Sequence, residues 1–174
     1  GGFVVDVDES VARWVGDSMP RWAEWMARPF SWLGGALGLG VVTLLGAVAL
    51  GRRGRRRDAA LLTLAYAGSQ LSMSLVKALT DRPRPTFDPA IALPSSTSFP
   101  SGHAVGAVAV LCLAALLLAP GGRRTRLLAL AAVLALGVGA SRVVLGVHWT
   151  SDVVAGWAFG LAWVAACVLL RPRR

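Results

Sequence analysis

The stretch AVGAVAVLCLAALLLA, Ala104–Ala119, holds no charged residue and runs too long for a buried strand. It approaches the roughly 20 apolar residues that a helix needs to cross a bilayer. Phe30–Leu50, Ala59–Leu79 and Val153–Leu170 are runs of the same kind, and Leu127–Ala140 joins them if its helix continues past Arg142 towards Val147. The whole chain agrees: of 174 residues, 55% are hydrophobic and 16% charged, with a mean hydropathy of +0.61, too apolar for an ordinary soluble domain. Lipid offers no partner to backbone N–H and C=O groups, so these runs are expected to be helices. The predicted fold is all-α, a polytopic transmembrane bundle of about five spans. Small residues such as GGALGLG, Gly34–Gly40, would let neighbouring helices approach closely.

The net charge of +9 does not point to nucleic acid, because the arginines cluster in short loops between apolar runs and form no polar face. GRRGRRRD after the first run, GGRRTR after the third and the tail RPRR after the fifth fall on one side of the membrane, the cytoplasmic side by the positive-inside rule. The opposite side then carries the N-terminal segment, the long 80–101 connection and the turn after the fourth run. Lys77, Arg82, Arg84 and Arg142 also fall there, against the charge rule. Pairing with Asp81 or Asp88, or snorkelling, would explain any one of them but not all four. The chain reads as one domain, 1–174. Residues 1–29 form an interfacial amphipathic segment, with Val7, Val11, Trp14 and Val15 at helical spacing, and 30–174 form the transmembrane core. Cys112 and Cys167 lie inside apolar runs and read as small buried hydrophobes.

Three stretches share the outer side: KALTDRPRP (Lys77–Pro85), PSGH (Pro100–His103) and SRVVLGVHWTSD (Ser141–Asp152). In this order and spacing they resemble the three-part signature of the type 2 phosphatidic acid phosphatase superfamily, integral membrane lipid phosphatases. Members of that family commonly have six spans, so the five counted here raise the expectation of a further helix upstream of Gly1.

The residues also make chemical sense in themselves. Pro100, Ser101 and Gly102 read as a helix start, with Gly102 leaving the first amides uncovered for an oxyanion. Lys77, Arg84 and Arg142 would add cationic donors from three segments, two of them guanidinium forks matched to phosphate oxygens. Such donors serve binding and transition-state charge together, so neither a metal nor a cofactor is expected. His103 and His148 are the only histidines, and His148 stands four residues before Asp152, close enough for the carboxylate to orient the imidazole.

The resemblance assigns roles to these positions. His148 would form a phosphohistidine, Asp152 would orient it, and His103 would protonate the leaving group and then activate water. Lys77, Arg84, Ser101, Gly102 and Arg142 would bind the phosphate; Ser141 and Arg82 are left without a role. The implied partners are a lipid phosphate substrate and membrane lipids, not nucleic acid, and nothing fixes the oligomeric state. An outward-facing site in a plasma membrane would suit polyprenyl diphosphate, phosphatidylglycerol phosphate or phosphatidic acid. A vanadium-dependent haloperoxidase shares the phosphate-site pattern but is soluble. A non-catalytic lipid phosphate carrier would need the cations but not both histidines and Asp152.

Overall fold

The structure, a computed structural model, describes residues 2–86, 89–119 and 121–171. Asp88 and the part of the basic tail beyond Arg171 lie outside the described residues. Among the described residues seven longer helices follow in order: α1 Phe3–Ser18, α2 Arg21–Gly34, α3 Ala36–Arg52, α4 Arg56–Ala78, α5 Gly102–Leu118, α6 Arg124–Val144 and α7 Thr150–Leu169. Among the described residues there is no strand.

Helix α5, the run that opens the sequence reading, is the centre of the bundle. Ala104, Val105, Ala107, Ala109 and Val110 are all fully buried, which is why the helix is apolar all round. It contacts α2, α3, α4, α6 and α7. At about 1.5 Å per residue it is shorter than a ~30 Å hydrocarbon core, and its middle turn, Val108–Cys112, is wound as a π-helix. The surrounding helices turn Leu44, Leu45, Leu71, Leu75, Val133, Leu136, Val154 and Leu161 outward. A belt of exposed leucine and valine this continuous marks a lipid-facing surface, and the protein is an integral membrane protein. Helices α4 and α7, and α6 with the short turn before it, are long and apolar enough to cross a bilayer singly, and α2 with α3 makes a fourth span if the bent pair is counted as one.

That pair corrects a detail of the sequence reading. The first apolar run is bent by 52° between α2 and α3, at Gly35, whose backbone is extended. A Cβ at Gly38 would stand 2.4 Å from the Trp32 carbonyl oxygen and 2.5 Å from that of Leu33. The GGALGLG stretch therefore builds a bend as well as a contact between helices. α1 ends where Met19, restricted by the following Pro20, turns extended. α6 does run past Arg142, and it stops where Gly146 takes φ +68°, a left-handed conformation suited to glycine.

Between helices in lipid, packing must supply most of the cohesion, since lipid tails are as apolar as the side chains. α7 approaches α5 closely. A Cβ at Gly156 would lie 2.8 Å from both Ala104 Cβ and the Ser101 carbonyl oxygen, and one at Gly160 2.6 Å from Val108 Cβ. This G-x-x-x-G seam sets the distance between the two helices that carry the histidine motifs.

Candidate active site

The turn after Gly146 brings His148 back into the bundle. Leu145 and Val147 are fully buried beside it, and the imidazole is buried as well. Asp152, in the first turn of α7, accepts the Trp149 amide at 3.0 Å, so it caps that helix while facing His148. Its Oδ2 stands 3.4 Å from His148 Nδ1, long for a hydrogen bond, and Ser98 Oγ donates to the same oxygen. On the other edge of the ring, Arg84 Nη1 lies 3.2 Å from His148 Nε2.

These two neighbours define the tautomer. An ionised carboxylate can only accept and a guanidinium can only donate, so Nδ1 carries the proton and Nε2 presents its lone pair. Burial lowers the His148 pKa to about 4; the Asp152 hydrogen bond pushes the other way, and the charges of Arg84 and Arg142 push it further down. The imidazole is neutral at physiological pH, as a nitrogen nucleophile must be.

Arg84 is the cation that contacts this ring. Lys77 Nζ donates to the Thr97 carbonyl, and Arg84 Nη2 donates to the same oxygen at 3.2 Å, which places the two cations side by side. Thr97 Oγ1 donates back to the Lys77 carbonyl at 3.2 Å. Arg84 is also held by the carbonyls of Ser96 at 2.9 Å and Val147 at 2.6 Å. Arg142, 4% exposed, donates to Ser31 Oγ. Its Nε and the Ser101 hydroxyl are buried with no hydrogen-bond partner among the described residues. An unmatched buried donor costs about 1–3 kcal/mol, and an oxyanion would satisfy both. Ser101 is the residue before α5 and makes no side-chain cap, while a Cβ at Gly102 would meet nothing within 4 Å. The first amides of α5 thus open onto uncovered space. Among the described residues no group of three His, Cys, Asp or Glu side chains could hold a metal ion.

His103 occupies the second position of α5, against the α2–α3 bend, where a Cβ at Gly35 would lie 3.7 Å from its Nε2. It lines a groove of about 410 Å³ with Arg28, Ser31, Trp32, Leu37 and Leu145. Ser31, the partner of Arg142, lines this groove too, so the Arg142 side and the His103 side of the site meet there. The walls are mostly apolar, and one of them is the bend between α2 and α3.

Three participants were not identified from the sequence. Ser98, two residues before Pro100, donates to Asp152 Oδ2. Arg82, noticed only as a charge on the wrong side, donates to Asp152 Oδ1 at 2.6 Å. Asp8, from the N-terminal helix, accepts from Arg82 Nη2 at 2.6 Å; no local pattern in the sequence signals it. Neither Asp81 nor snorkelling accounts for Arg82. Ser141 Oγ donates to the Val138 carbonyl at 2.6 Å within α6, a structural contact. Cys112 and Cys167 are free thiols.

Against known proteins the chain is similar to phosphatidylglycerophosphatase B of Bacillus subtilis, 36% identical over 109 residues, 60% of this chain and 53% of that one. It is similar to decaprenylphosphoryl-5-phosphoribose phosphatase of Mycobacterium tuberculosis, 43% identical over 127 residues, 69% of this chain and 64% of that one. The chain therefore spans between half and two thirds of these relatives' lengths. The crystal structure of a transmembrane PAP2 type phosphatidylglycerolphosphate phosphatase from Bacillus subtilis superposes with a TM-score of 0.89 and 28% identity, over 98% of this chain and 87% of that one. The PAP2 superfamily pattern matches residues 58–174, which include all three signature stretches. On that match, and on the bundle that brings the motifs together, the chain belongs to the PAP2 superfamily.

Proposed function

We propose that this protein hydrolyses a lipid phosphate or diphosphate monoester, without a metal, through a phosphohistidine on His148. The observation that carries the reading is the His148 environment. Its lone pair is directed by Asp152 on one side and met by Arg84 on the other, and two buried donors, Ser101 Oγ and Arg142 Nε, have no partner among the described residues.

In the first step Nε2 attacks phosphorus and the bond to the ester oxygen breaks; His103, which takes up a proton as the negative charge of the phosphate arrives beside it, passes that proton to the leaving oxygen. Asp152 holds Nδ1–H and stabilises the positive charge that the ring acquires. In the second step water attacks phosphorus, His103 takes its proton, and the P–N bond breaks to free phosphate and restore His148. Lys77, Arg84, Arg142 and the first amides of α5 would hold the non-bridging oxygens in both transition states.

The relatives bear the names of phosphatidylglycerol phosphate and decaprenylphosphoryl-phosphoribose phosphatases, which supports an anionic envelope lipid as the substrate class. The arginine-rich loops Arg52–Arg57 and Arg123–Arg126 lie at the opposite helix ends from His148. By the positive-inside rule this directs the site to the outer face of the plasma membrane.

The test is phosphate release from phosphatidylglycerol phosphate, undecaprenyl diphosphate and phosphatidic acid by the detergent-solubilised protein beside His148→Ala. Turnover of at least one lipid, abolished by the substitution and unaffected by EDTA, is the expected result. Turnover retained by His148→Ala overturns the nucleophile, and loss in EDTA that magnesium restores overturns the metal-free reaction.

A further inference from the structure

Asp8 is an acidic residue on an interfacial helix, yet it is 2% exposed and sits 143 residues in sequence from its main partner. Its Oδ1 accepts the Ser151 amide at 2.9 Å and its Oδ2 accepts the Ser151 hydroxyl. Oδ2 also accepts Arg82 Nη2 at 2.6 Å. Arg82 turns its other terminal nitrogen to Asp152 Oδ1 at 2.6 Å and to Ser151 Oγ at 2.8 Å, with its guanidinium carbon 5.8 Å from the Trp149 ring centre. One guanidinium is thus shared between two carboxylates, one from the first helix and one beside the nucleophile.

We infer that Asp8 and Arg82 are positioning residues for the nucleophile: Arg82 holds the Asp152 carboxylate with Oδ2 turned to His148, and Asp8 offsets the charge of Arg82 so that Asp152 keeps its own. The inference rests on the phosphohistidine reading. Oδ1 of Asp152 is engaged by Arg82, and Oδ2 takes Ser98, the Trp149 amide and His148, so the carboxylate cannot rotate without breaking contacts on both oxygens. An arginine paired with Asp152 alone would cancel its charge, and little would remain to favour the cationic ring of a phosphohistidine. With Asp8 present, the group of three carries one net negative charge towards His148.

This arrangement separates charge from shape. Asp8→Asn keeps the size and the acceptor for the Ser151 amide but removes the offset. The expected result is a kcat about tenfold lower, with KM within twofold, since no substrate contact is lost. Asp8→Asn combined with Arg82→Gln removes one charge of each sign and restores the net charge around His148, while the shorter amide side chain keeps a donor for Asp152 Oδ1, so the double variant should turn over at least three times faster than Asp8→Asn alone.

An unchanged kcat in Asp8→Asn overturns the proposal. So does a double variant no faster than the single one, which would make the cluster a packing device. If Asp8→Asn does not fold, the double variant decides alone: kcat within threefold of the unaltered protein supports the charge offset, and a larger fall overturns it. Failure of both to fold assigns the cluster to folding and overturns it as well. His148→Ala is run in parallel, since turnover by that variant defeats the nucleophile assignment whatever Asp8 does.

Discussion

Gly156→Ala adds one methyl group where α7 rests on α5. The new Cβ would stand 2.8 Å from Ala104 Cβ and 2.8 Å from the Ser101 carbonyl oxygen, whereas carbon atoms rest about 3.5–4.0 Å apart. Neither neighbour is the end of a flexible side chain, so the helices must part by roughly 0.7 Å or more at this level. Alanine gains about 1 kcal/mol of helix propensity over glycine, while overpacking of this kind costs about 1–3 kcal/mol. The net loss of stability is therefore small, and the larger effect falls on geometry. Asp152 lies one turn before Gly156, and its carbonyl accepts the Ser101 amide at 3.1 Å. Parting the helices stretches this bond and moves the His148–Asp152 pair away from Ser101 and His103. A misplacement near 1 Å costs on the order of 100-fold in rate, so kcat should fall roughly 30- to 100-fold. The assay is steady-state phosphate release in detergent beside a thermal melt. A folded variant with kcat within twofold of the unaltered protein would refute the claim that this seam sets the site's geometry.

Gly102→Ala is the converse. Its methyl would meet nothing within 4 Å, so the melting temperature should not change. The methyl would cover the first amides of α5, and kcat/KM should drop about tenfold, roughly 1.4 kcal/mol; an unaltered kcat/KM would show that phosphate does not approach there. For His148, the folded pKa of about 4 lies below the ordinary value of 6.5. Its contribution to stability is complete above pH 6.5 and is lost as pH falls towards 4, up to about 3 kcal/mol in total. Melting curves should therefore decline more steeply from pH 6.5 to 4.5 in the unaltered protein than in His148→Gln, and parallel declines would contradict the shift. In intact cells a membrane-impermeant thiol reagent should label a cysteine at exposed Ser95 but not one at Thr125, and the reverse pattern would place the site in the cytoplasm.

The apolar runs and the signature positions were legible in the sequence because both are local patterns. Helical periods and fixed spacings survive in one dimension, and they located α4 to α7 and the histidine motifs. The Gly34–Gly40 stretch was legible only as a close-packing signal. Its second use, a 52° bend, depends on where α5 and α6 press against it. Ser31 is separated from Arg142 by 111 residues, Ser98 from Asp152 by 54 and Asp8 from Ser151 by 143. Contacts at such separations leave no trace in spacing. Arg82 did leave a trace, as a cation on the side the charge rule disfavours. The partner that retains it became visible only when α1 was seen against the start of α7.

The 3.2 Å contact between Arg84 and His148 Nε2 has a consequence for chemical selectivity. The lone pair that would attack phosphorus is masked at rest by a cation, and only a ligand that draws the guanidinium away can expose it. On the phosphohistidine reading, an anionic phosphate would do so by its own charge, and the substrate would unmask the group that attacks it. Neutral electrophiles carry no such key: reagents that acylate or alkylate imidazoles should modify this ring slowly. Inhibitors aimed at it would need an anionic group to open the mask before any warhead could react.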